Sequence, residues 1–86
     1  MPIAATMESR MLRHGADPDK LLQLGMIYSS GGAVPADMVA AHKWFNIAAW
    51  RDNVHAAELR REIAEEMSEA EIAAAQRAAR DWITRH

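Results

Sequence analysis

The spacing of helix-start signals constrains this chain more than any other feature. Asp17-Pro18-Asp19, Asn53 and Ser68-x-x-Glu71 each join a side chain that can accept from a free backbone N–H to residues suited to a first helical turn. Between these starts, apolar residues recur every three or four positions, and Gly15 and the Gly31-Gly32 pair supply stops. No segment alternates apolar and polar residues over the length of a strand, β-branched residues are few, and no hairpin turn occurs. A chain punctuated in this way buries its apolar faces by packing short helices on one another. The expected fold is all-α, with four or five helices.

The elements can be read in order. "MESRMLRH" before Gly15 is a short N-terminal helix within residues 1–14, with Met7 and Met11 on one side. The second helix starts at Asp17 and ends at Ser29 or Ser30. Its inner stripe is Leu21, Leu24, Gly25 and Tyr28, and positive φ at Gly31 and Gly32 ends it. The third runs from about Pro35 to Trp50, with Met38, Ala41, Trp44, Phe45 and Ala48 inward. Asn53 opens a fourth that reaches Met67, with Ala56, Leu59, Ile63 and Met67 as its stripe. Ser68 and Glu71 form a capping box for a fifth, which places Ile72, Ala75, Ala79 and Trp82 on one face.

The 86 residues fit one domain, 1–86, with a thin core. Alanine supplies 18 of them, and it contributes little transfer energy. The three tryptophans, Tyr28, Phe45 and the Leu/Ile/Met side chains therefore carry most of the packing. The chain has no cysteine, which excludes disulfides and thiol chemistry and fits a reducing, cytoplasmic setting. No stretch approaches the roughly 20 apolar residues of a membrane span. The N-terminus is not that of a secretion signal. A net charge of −2 with interleaved signs gives no steering toward nucleic acid or an anionic membrane.

Residues 24–49, "LGMIYSSGGAVPADMVAAHKWFNIAA", resemble the Sel1-like repeat, a tetratricopeptide-like helical repeat. That family's pattern is approximately L-G-x-x-Y, G-x-G-V and D-x-x-x-A-x-x-W-[FY]-x-x-A-A. Leu24, Gly25, Tyr28, Gly31, Val34, Asp37, Ala41, Trp44, Phe45, Ala48 and Ala49 match it in order, with Gly32 displaced by one position in the loop. Residues 67–82 resemble the segment that closes bacterial members of the family. The resemblance implies an αα-hairpin solenoid fragment: a complete repeat over 17–52, and a partial second repeat with a C-terminal capping helix over 53–86. Gly25 would then let the partner helix approach closely against its alanine-rich face. Three departures stand out. Asp52 sits where the family has glycine before the next cap, and Trp50 where it has a small or polar residue. Arg60, Arg61 and Ala64 replace the second L-G-x-x-Y.

The resemblance implies an adaptor or scaffold that binds a protein or peptide. Trp50, with its neighbour Arg51, is the expected anchor, and Met7 and Met11 form a soft apolar edge. A self-associating module, with a homodimer covering the uncapped end, is the alternative. A small nucleic-acid-binding regulator is a third reading, carried by Arg60, Arg61, Arg77, Arg80 and Arg85, and overall acidity argues against it. Residue chemistry argues against an enzyme, a cofactor or a metal. His14, His42, His55 and His86 lack ligand spacing, the glutamates from Glu62 to Glu71 read as a solvated face, Ser29 and Ser30 lack an activating motif, and Gly31-Gly32 lacks the context of a phosphate loop.

Overall fold

The computed structural model describes residues 3–86, in which the chain forms five helices and, among the described residues, no strand. They are α1 (Ile3–Met11), α2 (Pro18–Ser30), α3 (Met38–Trp50), α4 (Val54–Ala64) and α5 (Glu69–Arg85). The fold is organised around α3, which packs broadly against α2, α4 and α5. This central position explains why α3 is apolar nearly all round. Ala41, His42, Trp44, Phe45, Ile47 and Ala48 are all buried, a wider face than the stripe expected from periodicity.

The caps fix the element ends. Asp17, Asp37, Asn53 and Ser68 each accept from the backbone N–H three residues on. Asp37 corrects the expected start of α3: the helix begins at Met38, and Pro35 belongs to the extended connector. Two further ends lie earlier than the pattern suggests. Helix α1 stops at Met11, and α4 stops at Ala64. The amides of Glu65, Glu66 and Met67 each donate to the carbonyl three residues back, so the chain tightens into a turn before the Ser68 cap. Helix α5 continues past Trp82 to Arg85.

Gly31 alone makes the left-handed stop of α2, at φ 73°, and Gly32 does not share it. The Gly31 amide donates to Ile27 O, and the Asp37 amide donates to Tyr28 O. The connector thus folds back on the end of α2 and satisfies a carbonyl that the helix leaves free. The α3–α4 turn solves the same problem without glycine. Asp52 adopts φ 70°, its amide donates to Ala49 O, and the Asn53 amide donates to Ala48 O. These bonds form a Schellman motif with aspartate at the left-handed position, where L-residues other than Asn and Asp rarely sit. Asn53 then caps α4, so one short turn both ends a helix and starts the next.

Gly25 faces a ring and not the alanines. A Cβ at position 25 would lie 2.4 Å from Phe45 Cδ1 and Cε1. The close approach is to an aromatic side chain of α3, for which the missing methyl makes room.

Candidate functional site

Trp50 is the last residue of α3 and is 59% exposed. Its neighbour Arg51 places the guanidinium carbon 5.6 Å from the Trp50 ring centroid. Arg51 Nη1 also donates to Ala16 O at 3.1 Å, which ties the patch to the start of α2. Val54, the first residue of α4, is 73% exposed. The Schellman turn joins the end of α3 directly to the start of α4. Trp50 and Val54 are thus exposed on either side of one short turn, and Arg51 lies beside the Trp50 ring. Sequence reasoning singled out Trp50 and Arg51 and did not single out the exposed Val54. The signal was present: an apolar residue directly after an N-cap, on the side of α4 opposite the Ala56 stripe.

Met7 and Met11 lie elsewhere. They are half-buried and pack, with Leu12, against the buried core, so they do not form an exposed apolar edge. Between them Glu8 accepts a hydrogen bond from the Tyr28 hydroxyl, which links α1 to α2. Burial first, and the hydrogen bond to Glu8 second, push the Tyr28 phenol above its ordinary range.

The motif residues occupy structural places. Leu24, Gly25, Tyr28, Ala41, Trp44, Phe45 and Ala48 are buried, Ala49 is half-buried, and Gly31 and Gly32 lie exposed in the connector. Ser68 and Glu71 form the reciprocal capping box, with bonds of 3.1 and 2.8 Å. Trp82 is half-buried, its ring edge-on to Trp44 at 5.7 Å and 74°. His86 stacks on its other side at 4.3 Å. Lys43 extends its ammonium over the Trp44 ring, 4.3 Å from the centroid. Burial lowers the Lys43 pKa, and the Glu8 and Asp81 carboxylates oppose that shift.

Two buried polar atoms have no partner among the described residues, His42 Nδ1 and Trp44 Nε1. His42 is 3% exposed. Burial and then the nearby Arg60 charge hold its pKa below the ordinary value. Arg60 itself donates to Asn46 Oδ1 at 2.7 Å and joins α4 to α3. Open cavities flank the helices. One of about 490 Å³ lies where the α2–α3 connector meets Glu71, and one of about 420 Å³ lies between α1 and the end of α5. Among the described residues no three His, Asp or Glu side chains gather in a metal-holding group, and no helix is long and apolar enough to cross a membrane.

The chain matches no family model, no curated protein and no solved structure.

Proposed function

We propose that the protein is a protein–protein interaction module that binds a partner protein or peptide on a helical surface. The exposure of Trp50 carries this reading. A tryptophan buries 150–250 Å² when covered, and leaving most of one in water at a well-capped helix end is costly unless a partner covers it. Arg51 sets a charge beside the ring, and Val54 exposes an aliphatic side chain across the same turn. The resemblance of residues 24–49 to the Sel1-like repeat supports the same conclusion, because adaptors and scaffolds use such hairpins. In that reading α2 and α3 are the complete repeat, and α4 and α5 close the solenoid. The bacterial, cytoplasmic setting belongs to the same proposal, supported by the resemblance and by a chain free of cysteine.

The test pairs capture with stability. The tagged chain and its Trp50→Ala variant are used to capture proteins from a lysate of the source cells, and both are melted. Loss of a specific captured protein with an unchanged melting temperature supports the proposal. Capture that is identical for both chains overturns the role of Trp50.

A further inference from the structure

Met7 with Met11, and Glu8 with Leu12 just past the helix end, are two pairs spaced four residues apart on one side of the N-terminal segment. The three apolar members pack against the core, and Glu8 accepts from Tyr28 on α2. Helix α1 holds good helix formers and a basic last turn, but it is short. It has nine residues and no acidic residue in its first turn. An isolated helix needs about 12–15 residues to be even marginal in water. Helix α1 is therefore helical because it is docked.

Its seat has a defined chemistry. The Tyr28 hydroxyl donates to the Glu8 carboxylate, and Lys43 extends its ammonium over the Trp44 ring, which lines the cavity beside α1. The seat is also wider than α1. A cavity of about 420 Å³ opens between Ala5, Glu8, Ser9 and Leu12 on one side and Trp44, Trp82 and His86 on the other. A second, of about 230 Å³, continues past Leu12 and Trp82 to Arg51. Trp44, 1% exposed, forms part of the floor, and its Nε1–H finds no acceptor among the described residues. Buried donors are nearly always paired. The open space beside α1, lined by Trp44, Trp82 and His86, shows that α1 leaves part of its seat uncovered.

We propose that the seat of α1 is a helix-binding groove, and that a partner's amphipathic helix occupies it in place of α1. That helix carries large apolar residues and a carboxylate spaced as in Met7-Glu8-x-x-Met11-Leu12. The proposal rests on the interaction-module reading above and gives the partner a chemistry. The occupant is inferred from the segment already seated there: apolar anchors at i, i+4 and i+5, and an acid opposite Tyr28. Side chains bulkier than those of α1 would fill the space beside Trp82. Helix α1 then acts as a built-in competitor, lowering apparent affinity by the fraction of molecules in which it is released.

The experiment uses a fluorescein-labelled peptide with the sequence of residues 3–14, and a second peptide carrying Glu8→Lys. Each is titrated by fluorescence anisotropy into the full chain and into its Met7→Asp variant, in which a charge at a half-buried apolar contact loosens α1. The native peptide is expected to bind the Met7→Asp chain at least tenfold tighter than the unaltered chain, and the Glu8→Lys peptide at least tenfold more weakly. No saturable binding to a Met7→Asp chain that retains its helical circular dichroism overturns the proposal, as does equal binding of the two peptides. If the variant does not fold, amide exchange on the unaltered chain decides. Opening of residues 5–11 well ahead of α3 supports the groove, and protection equal to that of α3 overturns it. A Met7→Asp chain that dimerises in sedimentation makes a second copy the occupant and overturns the partner assignment. A failed peptide titration beside Trp50-dependent capture overturns this inference alone, and capture indifferent to Trp50→Ala overturns the role of Trp50 set out above.

Discussion

The ring of Phe45 occupies the space that a side chain at position 25 would need. A Cβ on Gly25 would lie 2.4 Å from two ring carbons and 3.0 Å from a third, closer than unbonded carbons pack. Phe45 is 1% exposed, so its ring has no open space to turn into. Gly25→Ala gains about 1 kcal/mol of helix propensity but forces α2 and α3 apart. The expected net effect is a loss of about 1–3 kcal/mol, read from the midpoint of urea unfolding. A midpoint at or above that of the unaltered chain refutes the contact. Adding Phe45→Leu to Gly25→Ala should recover part of the loss, because the two positions share one space and their effects are not additive.

The Ser68–Glu71 pair sets the start of α5 directly after the turn that ends α4. Ser68→Ala should cost about 1 kcal/mol and Glu71→Ala less, since the hydroxyl satisfies an exposed helix amide while the carboxylate bonds an amide outside the helix. Denaturant midpoints check both. Equal midpoints for Ser68→Ala and the unaltered chain would remove the cap from the account of this turn.

His42 makes stability depend on pH. Its folded pKa lies below 6.5, because burial and Arg60 disfavour the imidazolium. Above 6.5 both folded and unfolded chains hold the ring neutral, and no penalty applies. As pH falls through 6.5 the unfolded chain takes up a proton that the folded chain does not, so stability declines. The decline from this residue ends once the pH is below the lowered folded value. His42→Gln should flatten the stability profile below pH 6.5 relative to the unaltered chain. An unchanged slope in urea midpoints measured across that range counts against His42 as its source.

The helices were legible in the sequence because local chemistry sets them. Caps at Asp17, Asn53 and Ser68 and the stop at Gly31 need only their near neighbours. What the sequence hid was decided across helices. Periodicity gave α3 one inner stripe, but three helices surround it, so His42 and Ile47 are buried as well. The start of α3 was misplaced because Pro35 suits a first turn, while Asp37, two residues on, holds the stronger cap. Trp50 was legible as an oddity, and its exposure was not, since a tryptophan is buried or free according to what packs beside it. Met7 and Met11 carry no mark that separates an exposed apolar edge from a docked one. The bond from Tyr28 to Glu8, formed between residues far apart in the chain, seats them inward.

Two tryptophans with opposite surroundings give the sharpest contrast. Trp82 meets the buried Trp44 edge-on at 5.7 Å and stacks on His86 at 4.3 Å, so it joins α5 to α3. Trp50 has one face near Arg51 and is otherwise largely in water. Trp82→Ala should therefore cost about 2 kcal/mol, less than the ~3–5 kcal/mol of a fully buried tryptophan because the ring is only half covered. The loss should reach along α5: amide exchange is expected to speed up from Ala73 to Ala79, not only in the last turn. Trp50→Ala should stay within about 0.5 kcal/mol of the unaltered chain, as surface substitutions do. Its effect belongs to binding, where removal of an anchor ring typically costs about 2 kcal/mol or more. Denaturant midpoints and affinity for the captured partner, measured on the same two variants, separate these roles. A Trp50→Ala chain that unfolds as readily as the Trp82→Ala chain would make Trp50 a packing residue, and the exposed patch at the α3–α4 turn would lose its claim to a partner.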